Sequence, residues 1–212
     1  TEAAFPRPAF HRPRPSADYV AMEAGTRDAD RRVPWGTHAL VFSLALALRL
    51  LHLLELEGTV WTAVLVGDGE GYDAWAQEIA AGDWLGREVF YQTPLFPYLL
   101  GALYAVVGRD LFAVRALQAL LGAMTCVLVG DASRRVLGRR AGLVAGLLLA
   151  VYAPAIHYEA LVQKTALTLF EMAWLAHTLA RTAECPTRGR FVWTGVLLGA
   201  IALTRETAVV LI

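Results

Sequence analysis

Apolar runs of membrane-spanning length constrain this chain more than anything else in it. The first, HALVFSLALALRLLHLLEL over residues 38–56, is long enough to cross roughly 30 Å of hydrocarbon at about 1.5 Å of helical rise per residue. Further runs near 111–129, 141–156, 165–179 and 191–212 read as four more spans. Composition agrees: 57% of the residues are apolar and 18% charged, with a mean hydropathy of +0.47. Soluble domains run nearer half apolar and a quarter charged. The expected fold is therefore an all-α integral membrane protein, a multi-span helical bundle with an outer loop of short interfacial helices.

The formal charge of zero hides a segregation. Arg27, Arg31 and Arg32 precede the first span, Arg134, Arg135, Arg139 and Arg140 follow the second, and Arg181, Arg188 and Arg190 follow the fourth. Positive loops stay in the cytoplasm, which places the amino terminus inside and makes five crossings alternate without conflict. Between the first two spans, residues 66–97 carry Asp68, Glu70, Asp73, Glu78, Asp83 and Glu88 against the single cation Arg87. That loop, spanning 58–110, belongs outside. Within it Asp73–Ala81 reads as a short amphipathic helix. The apolar stretch PLFPYLLGALYAVV around residues 95–107 is short for a span. Were it to cross, the Arg134–Arg140 cluster would fall outside, so an interfacial or re-entrant helix is expected, with Pro97 in its first turn.

Residues 1–36, rich in Pro, Arg and Ala, lack the apolar core of a signal peptide and read as a disordered cytoplasmic tail. The chain opens on Thr1 and closes on Ile212 inside an apolar segment, the expectation being an incomplete protein with further spans downstream. Cys126 lies in an apolar run and Cys185 in a basic loop, which implies neither a disulfide nor a zinc site. Arginines scattered over short loops, with Lys164 the one lysine, argue against nucleic acid as a partner.

Ionisable groups in or beside apolar helices are costly and face a cavity or a partner. Asp68, just past the first span, reads either as a carboxylate base that takes a proton from an attacking hydroxyl or as an ordinary solvated loop acid; Glu70 has the same two readings. His157, Tyr158, Glu159 and Lys164 return to the same outer face after Pro154 interrupts a helix, either as part of a site or as interfacial anchors with Lys164 snorkelling. Arg205 sits about 21 Å up a helix rising from the cytoplasm. It suits a lipid-linked phosphate gripped bidentately or, alternatively, an internal ion pair with Glu206 or another acid. Arg49 has the same two readings, and His52 reads as a satisfied packing residue. There is no phosphate loop and no GxGxxG before a helix, so a transferase of this kind would take its donor from the membrane. No metal-ligand spacing is diagnostic and no cofactor is implied, although the acids could bind a divalent cation.

The order GDGEGYDAWAQEIAAGDW, YQTPLFPYLLGALYAVVG, AVRALQALLGA, RRVLGRRAGLVAGLLLA resembles the amino-terminal half of GT-C membrane glycosyltransferases. The branch is that of dolichyl-phosphate-mannose protein mannosyltransferases and bacterial aminoarabinose transferases. The resemblance covers about residues 40–212. It implies Asp68 as the acceptor base, with Glu70 sharing or taking that role because many relatives have adjacent Asp-Glu where this chain has a glycine between them. Tyr72 matches the aromatic after that acid, Glu159 a second outer acid, Lys164 a basic position after it and Arg205 the arginine of an LTR motif. Lys164 and Arg205 would contact donor phosphate. It further implies inverting transfer from a polyprenyl or dolichyl phosphate to a protein, lipid or glycan acceptor outside, in a multi-pass bacterial inner or plasma membrane. Arg49 and Arg205 also suit a transporter or flippase for a lipid-linked or anionic substrate, and a non-catalytic membrane scaffold is a third reading.

Overall fold

A computed structural model describes residues 35–65, 67–85 and 92–211. The tail before Trp35, together with Arg87 and Glu88 of the acidic loop, lies outside them. Among the described residues nine α-helices follow in order: α1 (Trp35–Leu56), α2 (Val60–Ala63), α3 (Gly69–Ala80), α4 (Leu95–Val107), α5 (Leu111–Leu137), α6 (Arg139–Ala150), α7 (Ala153–Glu159), α8 (Thr165–Glu184) and α9 (Arg188–Thr204). A closing 3₁₀ helix covers Glu206–Leu211. No strand occurs among the described residues. Helices satisfy their backbone within one segment, which is what hydrocarbon demands.

By length and composition α1 and α5 can each cross a bilayer, and α6 with α7, bent by 53° at their junction, makes a third if counted as one span. Pro154 sits in the first turn of α7, where its missing N–H costs nothing. The helix α5 is the axis: α1, α6, α7 and α8 pack on it, and α9 packs on α8. The approach of α6 to α5 depends on missing side chains. A Cβ on Gly142 would stand 2.6 Å from the Gly130 carbonyl, and one on Gly146 would stand 3.2 Å from the Cys126 carbonyl. Small residues four apart let membrane helices touch backbone to backbone. Leu51, Leu54, Val144, Leu148, Val196 and Leu203 are more than half exposed, an outward apolar surface that lipid would cover.

Three elements end elsewhere than the hydropathy suggests. The second span was expected to finish near Val129, but α5 continues to Leu137. Asp131 lies there 2.6 Å from Arg134 at i+3 and 2.6 Å from Arg135 at i+4, the spacing at which helical charges meet. The short helix expected from Asp73 begins at Gly69. The last apolar run, expected to stay helical to Ile212, stops at Thr204, with Arg205 extended at φ −143° and ψ 121°.

The short helix α4 returns at both ends to α3. Phe96 meets the Tyr72 ring edge-on at 5.1 Å. Past the other end, Arg109 grips Asp73 Oδ2 with Nη2 at 2.9 Å, and the Tyr104 hydroxyl donates to Asp73 Oδ1 at 2.6 Å. Asp110 then caps α5 by accepting from the backbone N–H of Phe112 at 2.9 Å and of Ala113 at 3.1 Å, satisfying donors a helix start leaves orphaned.

Candidate functional site

One end of the bundle gathers α3, the starts of α4, α5 and α8, the whole of α7, and the exit of α9. The loop leading into α3 lies directly on the α7–α8 connection. A Cβ on Gly69 would stand 2.9 Å from the Val162 carbonyl, and one on Gly67, at φ +63°, 3.5 Å from Gln163 Nε2. Asp68, between these two glycines, is thereby held beside the segment that ends in Lys164. Its carboxylate is exposed and makes no capping hydrogen bond to α3.

Lys164 is the hub on the other side. Its Nζ donates to Glu206 Oε1 at 2.9 Å and Oε2 at 3.1 Å, and approaches Thr93 Oγ1 at 3.3 Å. Thr93 Oγ1 donates to the Thr204 carbonyl at 2.7 Å, and its backbone N–H reaches Glu206 Oε1 at 3.3 Å. Three distant pieces of chain are thus tied at one point. The Lys164 hydrogen bond, helped by backbone N–H groups, holds the Glu206 carboxyl down at about 2. Tyr72 points into the same region: buried, with no hydrogen-bond partner for its hydroxyl among the described residues. Burial raises its phenol above the ordinary value, while Lys164 pulls it down and Asp68 and Glu206 push it up. Both acids and the ammonium therefore lie within electrostatic reach of one hydroxyl. Arg205 follows Thr204 and is exposed.

The remaining candidates are arranged differently. Arg49 and Glu159 are each 2% exposed and clasp each other, Nε to Oε2 at 2.5 Å and Nη2 to Oε1 at 3.3 Å. Arg49 Nη1 also donates to the carbonyls of Ala45 at 3.2 Å and Ala150 at 3.4 Å, and Gln118 Nε2 donates to the Glu159 carbonyl at 2.9 Å. This knot joins α1, α5, α6 and α7. A Cβ on Gly122 would fall 2.0 Å from Glu159 Oε2, so only glycine leaves room for the pair. Tyr158 is exposed with its ring edge toward His157. His52 packs against His157 at 5.9 Å, yet its Nε2 finds no partner among the described residues, which differs from the satisfied packing residue expected. Glu70 is exposed.

Sequence reasoning missed Thr93 and Glu206. Glu206 was weighed only as a partner for its neighbour Arg205, and local spacing carried no sign that its partner sits 42 residues earlier. The Asp73–Tyr104–Arg109 knot was likewise invisible, because Arg109 reads as an ordinary loop cation. No cluster of His, Cys, Asp and Glu that could hold a metal occurs among the described residues.

The family model for dolichyl-phosphate-mannose-protein mannosyltransferases matches residues 91–212, more than half of the chain. The chain belongs to this mannosyltransferase family. It is a membrane glycosyltransferase, of a family that draws on a dolichyl-phosphate sugar. The matched region holds Thr93, Glu159, Lys164, Arg205 and Glu206, while Asp68 and Tyr72 precede it. No curated protein and no solved structure gives a match to the chain.

Proposed function

We propose that this mannosyltransferase-family chain moves a sugar from a polyprenyl or dolichyl phosphate to an acceptor on the non-cytoplasmic face, with inversion at the anomeric carbon. Asp68 takes the proton of the acceptor hydroxyl as its oxygen bonds to the anomeric carbon. The carbon–oxygen bond to phosphate breaks, its electron pair leaves with the lipid phosphate, and Lys164 and Arg205 neutralise the charge that develops. Tyr72 donates its hydroxyl proton as a hydrogen bond within the same space. Arg49 and Glu159 brace the four helices around this end rather than touch substrate. A transport path would need Arg49 free, and the clasp with Glu159 leaves it none of that freedom.

The observation that supports this reading is the seating of Gly67–Gly69 on Val162–Gln163, with Asp68 and Lys164 flanking that contact in sequence and both acting electrostatically on the Tyr72 hydroxyl. A carboxylate beside a phosphate-binding ammonium is the pairing that inverting displacement from a lipid phosphate requires. The divalent cation left open by the acids has no role in it. The test is to supply the protein, reconstituted in vesicles, with a sugar-labelled polyprenyl phosphate and an acceptor. The expected products are free polyprenyl phosphate and a glycoside of inverted configuration. Labelled lipid that changes leaflet with no glycosidic product contradicts the proposal and favours a flippase.

A further inference from the structure

At the opposite end of the bundle, between the later turns of α8 and the first turns of α9, lies a cavity of about 240 Å³ lined by Trp174, His177, Thr178, Arg181, Arg190 and Trp193. We propose that it is a second lipid-phosphate site, one that binds an anionic headgroup of the cytoplasmic leaflet and takes no part in sugar transfer. Its lining carries two guanidinium groups and no carboxylate.

The nearby acids are already engaged. Asp131 is held by Arg134 and Arg135 at 2.6 Å each, with His177 Nδ1 3.1 Å and His38 Nε2 3.6 Å away. Glu184 pairs with Arg135 at 2.5 Å. The Arg181 side chain forms no hydrogen bond or ion pair among the described residues, and Arg190 spends Nη1 on the carbonyls of Arg181, at 2.6 Å, and of Cys185. That contact fixes the Arg190 fork at the cavity wall, its other nitrogens without a hydrogen bond among the described residues. Two arginines and no acid in one hollow select an anion with several acceptor oxygens.

The surroundings select a lipid. Trp174 and Trp193 stack at 5.9 Å and 27°, and tryptophan pairs of this kind sit at headgroup depth. Phe191, Val192 and Trp193 are more than half exposed next to the hollow, offering acyl chains an apolar flank. The volume is below the roughly 300–1,000 Å³ of a drug-sized site and suits a phosphate ester whose tails stay outside. Basic residues on the cytoplasmic side of a membrane protein attract anionic lipid, and this hollow gives that attraction a shaped receptor.

The experiment uses the two tryptophans as reporters. The full chain, with Trp35, Trp61, Trp75 and Trp84 replaced by Phe, is placed in phosphatidylcholine nanodiscs containing increasing brominated phosphatidylglycerol or, separately, brominated phosphatidylcholine. Quenching should saturate at a mole fraction at least about fivefold lower for the anionic lipid, from the roughly one-kcal/mol attraction per surface cation. Arg181→Gln, which removes no hydrogen bond or ion pair among the described residues, should erase most of that preference. Sugar transfer by Arg181→Gln in the otherwise unaltered chain should stay unchanged, which separates this site from the one at the other end. Equal quenching by the two lipids, or a preference that survives both Arg181→Gln and Arg190→Gln, overturns the proposal. Relief of quenching by millimolar inorganic phosphate with no anionic-lipid preference would assign the hollow to free phosphate instead and overturn it equally.

Discussion

Single residues here divide into those that hold and those exposed enough to react. Arg49 and Glu159 belong to the first group. Removing one partner of a buried pair leaves an uncompensated charge, at a cost of roughly 3–5 kcal/mol. Arg49→Met or Glu159→Gln alone should therefore lower the thermal midpoint of the reconstituted protein sharply. Arg49→Met with Glu159→Met together should recover much of the loss. Stability unchanged by either single substitution would show that the clasp does not brace the bundle. Glu206 supplies a second prediction. Because the Lys164 hydrogen bond depresses its folded-state value to about 2, the stabilisation of this contact is fully present above the ordinary carboxylate range and is lost as pH falls through about 2. A carbon-13 titration should find Glu206 ionised at pH 4, and Lys164→Met should return its midpoint to the usual range for glutamate. A midpoint that Lys164→Met leaves unmoved would dissociate the two groups.

Elements were readable where periodicity or hydropathy spoke for them, and obscure where a distant partner decided. The apolar runs show an all-helical membrane protein because no other local structure hides its backbone in lipid. The extension of α5 past Val129 depends on Asp131 meeting Arg134 and Arg135, which turns a loop-like charge run into two more turns of helix. The stop of α9 at Thr204 goes with bonds to Thr93 and Glu171, whose carboxylate accepts from Thr204 Oγ1 at 3.0 Å, and none of these partners is near in sequence. The start of α3 at Gly69 is a matter of clearance. Gly69→Ala should push the loop off Val162, and a displacement near 1 Å can cost about a hundredfold in rate. Gly71→Ala, where a Cβ meets nothing within 4 Å, should leave transfer near wild type. Equal rates for the two variants would mean that the seating of this loop does not matter.

For the molecule as a whole, the two ends of the bundle carry different chemistry on one helical frame. One end ties Lys164, Glu206, Thr93 and the loop of Asp68 together. The other neutralises Asp131 and Glu184 with arginines and leaves Arg181 over. Asp68 and Lys164 could be singled out from the sequence because each is an ionisable group next to an apolar run. Thr93 and Glu206 could not, since only the tertiary fold makes them neighbours. The measurement that bears most directly on this account is the rate of sugar transfer from polyprenyl phosphate by Asp68→Asn in the full-length, reconstituted protein, beside Glu70→Gln. Loss of the proposed base should slow Asp68→Asn by about 10²–10⁴-fold with donor binding kept, while Glu70→Gln stays near wild type. An Asp68→Asn protein that turns over as fast as the unaltered one would contradict it.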